Sequence, residues 1–104
     1  MTRGEVWWAD LPAPVGRRPV VLLSRAAAYA VRVSVTVAPV TRTIRGIPTE
    51  VILDRDDGLP ARCVVNADDL MTIPKALLTH RVTTLSATRV AEVEVAIRFA
   101  LDLR

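Results

Sequence analysis

Valines alternate with other residues along Arg32-Val33-Ser34-Val35-Thr36-Val37-Ala38, which places three valines on one face and small polar residues on the other. Successive side chains of an extended chain point to opposite faces, so this period of two predicts a strand with one buried side. Pro39 follows without an N–H for a ladder, and the strand is expected to bulge, lie at an edge or end there. Residues 39 to 46 are therefore expected to carry unusual backbone. Upstream, Glu5-Val6-Trp7-Trp8-Ala9-Asp10 alternates before a loop punctuated by Pro12, Pro14 and Gly16. Val20-Val21-Leu22-Leu23 is a continuous apolar run, the pattern of a strand buried on both faces. Arg25 to Ala30 reads as a short helical turn.

Further short strands are predicted at residues 50–54, 62–66, 71–73 and 80–84. Asp56-Asp57-Gly58-Leu59-Pro60 between them has turn chemistry, with glycine free to take positive φ and proline stopping continuation. Pro74 to Leu78 reads as a helical turn opened by proline. From Ser86, a suitable N-cap, Val90, Val93, Ile97 and Leu101 recur at helical spacing with Ala100 beside them, predicting one amphipathic helix. The expected architecture is mainly β, in the α+β sense: a small, strongly curved barrel of six or seven short strands with a C-terminal helix packed on it.

A chain of 104 residues fits one domain, and 51% hydrophobic content argues against disorder. There is neither an apolar run of the roughly 18 residues that a membrane span needs nor an N-terminal signal core, so a cytoplasmic protein is expected. One cysteine, Cys63, cannot close an intrachain disulfide, and with one histidine, His80, a structural zinc site is not expected. The acids near Gly58 lack the spacing of a calcium loop. No metal or cofactor is expected.

Charge is more informative. Thirteen arginines accompany a single lysine, and residues 11–49 hold Arg17, Arg18, Arg25, Arg32, Arg42 and Arg45 without one Asp or Glu. Arginine suits planar, bidentate recognition of phosphate. Residues 50–70 reverse the sign with six carboxylates against Arg55 and Arg62, so the two stretches either pair in the fold or leave a cationic patch for a polyanion.

Within the acid-free stretch, Pro19 restricts Arg18 to extended geometry and so aims its guanidinium. Thr41 follows the proline-interrupted strand, where unusual backbone often presents a side chain for binding, although a threonine bonded to its own turn is the plain alternative. Arg42 and Arg45 are candidate phosphate contacts by charge and position. His80 lies far along the chain from these loops, Cys63 reads as a core residue, and Trp7 and Trp8 must face opposite ways.

The order of Arg3-Gly4-Glu5-Val6-Trp7-Trp8, Gly16-Arg17-Arg18-Pro19-Val20-Val21-Leu22-Leu23-Ser24, Val37-Ala38-Pro39-Val40-Thr41 and Val64-Val65-Asn66-Ala67-Asp68-Asp69 resembles the MazF/PemK family of toxin-antitoxin endoribonucleases. The resemblance spans almost the whole chain. It implies an SH3-like barrel, a homodimer, metal-independent cleavage of single-stranded RNA, and a cognate antitoxin whose C-terminal segment covers the RNA groove. By position it implies catalytic roles for Arg18 and Thr41 and RNA contacts from Arg17, Asn66 and Asp69. Two departures stand out. The loop at residues 11–17 has no acid where some members carry one, and Asp68-Asp69 replaces an acid followed by glutamine.

Two other functions share this architecture: a protein-binding poison like the CcdB gyrase inhibitors, and a silent SH3-like module that binds nucleic acid or peptide without cutting. The gyrase-binding group uses an aromatic-containing C-terminal tip, whereas this chain ends Ala100-Leu101-Asp102-Leu103-Arg104. That favours the ribonuclease.

Overall fold

The computed structural model describes residues 1–104. Seven strands, β1 (Glu5–Asp10), β2 (Arg17–Leu22), β3 (Ser34–Thr41), β4 (Glu50–Leu53), β5 (Cys63–Asn66), β6 (Met71–Pro74) and β7 (Leu78–Thr84), are joined by two helices, α1 (Ala28–Val31) and α2 (Ala87–Leu101). All pairings are antiparallel, in the order β4-β5-β3-β2-β1-β7, with β6 also on β3.

The fold class is the expected one, with one difference in closure. Strands β4 and β7 are the free ends of the sheet path rather than neighbours in a closed barrel. The turn after β4 approaches β7 instead, bringing Gly58 against the side chain of Thr83. Side-chain packing thus bridges the seam that a ladder would otherwise close.

Pro39 does not end β3, which continues to Thr41. Thr36 directs its N–H to Ser24 Oγ and its carbonyl to the Leu23 amide, both on the β2 side. Alternation then sends the missing N–H of Pro39 to the other side, where pairing with β6 stops at Val37 and pairing with β5 starts at Val40. Proline sits in the gap between two ladders. The strand also starts one residue later than the valine pattern indicates: Val33 precedes it and is exposed, while Val35 and Val37 are buried.

Two cores form, one on each face of β2. Val21 joins Val6, Val40, Val65, Leu53 and the α2 residues Val93 and Ala96, whereas Val20 and Leu22 join Val35, Val37, Ile73 and Leu78. That is why the run Val20-Val21-Leu22 is apolar throughout. Ser86 caps α2 by accepting the Arg89 amide at 3.2 Å. The buried seam of the helix runs through Val90, Val93, Ala96, Ile97 and Ala100. Leu101, expected on it, is exposed: it shares the azimuth of Val90 and Ile97 but is the last residue of the helix.

Arg89 ties α2 to the turn after β4, its Nε 2.9 Å from Asp57 Oδ1 and its other end on Glu92. Burial pushes the Asp57 pKa up, but the Arg89 hydrogen bond and charge and the Asp54 amide outweigh it, leaving the carboxyl below its ordinary value. A depressed folded pKa stabilises above the unfolded value, about 3.9, and the contribution disappears as pH falls through the folded one. Arg89→Ala is therefore expected to cost about 1 kcal/mol at neutral pH, allowing for partial exposure. The gap in urea midpoint between the two proteins should shrink as pH falls through the depressed folded pKa of Asp57; a gap independent of pH would refute the assignment.

Candidate active site

Strands β2, β3 and β5 lie side by side, so their ends deliver separate parts of the chain to one place. Arg18 stands near the start of β2, opposite Ala9, and Thr41 closes β3 opposite Val64. Asn66 closes β5, and its side chain accepts the Asp68 amide at 2.9 Å to cap the turn that carries Asp69. These four residues, with Pro39, Thr43 and Arg45, line one pocket without a hydrophobic side chain, apart from the proline ring.

Beyond Thr41 the chain bends at Arg42 and runs on irregularly to the turn before β4, dividing its side chains between two pockets. Thr41, Thr43 and Arg45 face the polar pocket, and Arg42 turns to a neighbouring one lined by Trp8, Pro19, Leu59 and Cys63. Thr41 borders both. Sequence reasoning did not single out Thr43, although its spacing of two from Thr41 was the available signal. Glu50 holds the loop by accepting the amides of Arg45 and Gly46 at 2.9 and 3.0 Å.

The ion pairs are Arg3–Glu94, Arg81–Glu5, Arg89–Asp57 and Arg89–Glu92. None uses an arginine from residues 11–49, so the guanidiniums of Arg18, Arg42 and Arg45 carry no carboxylate partner. Arg17 points elsewhere, stacking over the Trp8 ring 4.6 Å from its centroid. Trp7 faces the second core, with its indole N–H donating to Glu5 Oε1 at 2.9 Å.

The Thr41 hydroxyl oxygen accepts the Thr43 amide at 3.2 Å, the local turn bond anticipated from sequence. Its own proton remains free to donate. Asn66 is 6% exposed, with Oδ1 on the Asp68 amide and Nδ2 donating to Asp69 Oδ2, each at 2.9 Å. Thr49 donates to Asp68 Oδ2 at 2.7 Å. His80 lines neither pocket and lies exposed on β7; Cys63 is buried, and burial foremost, with Asp57 nearby, pushes its thiol pKa up. Neither side chain competes for the chemistry of the polar pocket.

A small β-domain that gathers unpaired guanidiniums and hydroxyls at the ends of three adjacent strands has the features of a phosphate-binding domain. The chain belongs to the PemK-like, MazF-like toxins of type II toxin-antitoxin systems, whose family model matches residues 2–101. It is 43% identical over 101 residues to probable endoribonuclease MazF5 of Mycobacterium tuberculosis, covering 96% of this chain and 92% of that protein. Endoribonuclease MazF3 of the same species is 40% identical over 86 residues, covering 83% and 84%. Among solved structures, the Mycobacterium tuberculosis toxin MazF-mt6 superposes with a TM-score of 0.88 at 36% identity, covering 96% of this chain and 98% of that one. A mycobacterial endoribonuclease in complex with its cognate antitoxin gives 0.90 at 29% identity, covering 100% and 97%.

Proposed function

We propose that this protein is the toxin of a type II toxin-antitoxin pair and a metal-independent, sequence-selective endoribonuclease of single-stranded RNA. The observation that carries the proposal is the unpaired Arg18 guanidinium sharing a polar pocket with Thr41. In the reaction the ribose 2′-oxygen attacks the adjacent phosphorus and the 5′-oxygen leaves, giving a 2′,3′-cyclic phosphate and a 5′-hydroxyl. Negative charge accumulates on the phosphorane oxygens. Arg18 binds them bidentately, and the Thr41 hydroxyl donates to one of them or to the leaving oxygen.

Arg45 holds a flanking phosphate inside the pocket, Arg42 holds one beyond Thr41, and Arg17 extends the cationic rim from its place on Trp8. Asn66 and Asp69 form the wall that meets the nucleoside. Unpaired RNA suits the site because its bases can splay from the backbone. The toxin acts in the cytoplasm as a homodimer and is silenced when the C-terminal segment of its antitoxin covers the groove. No helix is long and apolar enough to cross a membrane.

The test incubates the purified protein with a long natural single-stranded RNA in EDTA and maps the new ends. Discrete cuts with cyclic-phosphate termini support the reading; a folded protein that cuts none of a diverse RNA set overturns it. Sedimentation as a monomer at micromolar concentration would remove the dimer.

The phosphate contacts have their own measure. In the Arg42→Ala, Arg45→Ala double variant, RNA affinity should fall and its log-log salt slope should flatten by about 1.4, the value for two single-strand phosphate contacts. Unchanged affinity and slope would remove both arginines from the interface.

A further inference from the structure

The transesterification needs a group to accept the 2′-hydroxyl proton, and the loop between β1 and β2 holds no acid. Resting on the function proposed above, we infer that Asp69 is that general base. It is the one carboxylate lining the pocket that contains Arg18 and Thr41. Neighbouring acids do not line it: Asp68 faces the Thr49 hydroxyl, and Glu50 accepts the loop amides of Arg45 and Gly46.

Asp69 itself is held but not neutralised. Asn66 donates its Nδ2 to Oδ2 at 2.9 Å, and the Asn66 amide is locked in that orientation because its oxygen accepts the Asp68 N–H. Oδ1 has no hydrogen-bond partner within the protein, and no cation lies within ion-pair distance of either oxygen. A carboxylate fixed at one oxygen and free at the other presents Oδ1 to a proton donor bound in the pocket. The buried Asn66 acts as the positioning residue behind it.

Atoms balance as follows. Oδ1 of Asp69 takes the proton from the 2′-hydroxyl while the 2′-oxygen pair forms the new bond to phosphorus. The bond from phosphorus to the 5′-oxygen breaks, its electron pair stays on that oxygen, and a proton from the pocket or water completes the 5′-hydroxyl. Asp69 then releases its proton to solvent, and no water is consumed in the step.

Asp69→Asn is the informative variant because its amide oxygen still accepts from Asn66, which preserves the local structure while removing the base. Single-turnover cleavage should fall roughly a hundredfold or more, with RNA bound as tightly or more tightly because a negative charge has gone. The wild type should show a rise of log rate with pH on the acid side that Asp69→Asn lacks, and Asp69→Glu should recover part of the rate. A substrate with sulfur in place of the bridging 5′-oxygen needs no proton on its leaving group, so the defect should persist on it. Cleavage by Asp69→Asn within a few-fold of wild type, a defect confined to KM, a retained acid limb, or a defect that vanishes on the sulfur substrate would each overturn the assignment. The ribonuclease reading would stand through all four outcomes, since wild-type cutting in EDTA tests it separately.

Discussion

Arg18→Ala is expected to lower RNA cleavage at least about a thousandfold under single-turnover conditions while leaving the fold and most of the RNA affinity in place. A single preorganised donor to a developing oxyanion is worth about a hundredfold to a thousandfold, and a guanidinium adds full charge and a second donor. The side chain makes no hydrogen bond or ion pair inside the protein, so its removal leaves nothing buried and unsatisfied. Arg42 and Arg45, the proposed phosphate contacts, are untouched by the substitution. Arg18→Lys should recover only part of the rate, because an ammonium supplies charge without the planar fork. An alanine variant that cuts within tenfold of wild type would remove Arg18 from the transition state.

The largest expected loss of stability is from Gly58→Ala, at about 3 kcal/mol. Gly58 has φ +89° at the end of the turn after β4, where any other residue strains the backbone by roughly 1 kcal/mol. A methyl group there would also overlap the Thr83 side chain, with Thr83 Cβ only 2.7 Å from its position. Overpacking of this kind adds about 1–3 kcal/mol, since both partners belong to fixed elements. Gly46 is the control: it has φ +69° but open space where a Cβ would stand, so Gly46→Ala should cost only the backbone part. Equal urea midpoints for the two variants would show that Thr83 yields freely and that the seam between β4 and β7 is not closely packed.

Much of this protein is legible along one dimension. Period-two alternation locates β1 and β3, the unbroken run at 20–22 reflects two cores on opposite faces of β2, and Ser86 marks where α2 starts. Errors arose where a second strand decides the outcome. Pro39 leaves a bulge, an edge or an end open until β6 and β5 are seen to leave a gap beside it. Leu101 fits the helical period, yet nothing remains to cover it at the end of α2.

The site was legible for a related reason. Arg18 beside Pro19 and Thr41 beyond Pro39 stood out through the backbone constraint that proline imposes. The convergence of Arg45, Asn66 and Asp69 with them depends on β5 returning against β3, which no local pattern reveals. Nor could charge counting show that six arginines of residues 11–49 stay unpaired. That the basic and acidic stretches do not neutralise each other is a property of the folded chain.

One pairing described above also sets an order of events in time. Strand β1 lies between β2 and β7, so a strand made at residues 5–10 waits for one made at residues 78–84. Long-range pairing of this kind slows folding, because the loop must close before any contact rewards it. Arg18 and Thr41 both emerge in the first two-fifths of synthesis, but Asn66 and Asp69, the other side of the pocket, emerge later, and the second neighbour of β1 later still. A nascent or truncated chain ending before β7 therefore carries Arg18 and Thr41 without the complete sheet around β1. On the function proposed above, cleavage of RNA by this chain has to wait until translation has passed its last strand.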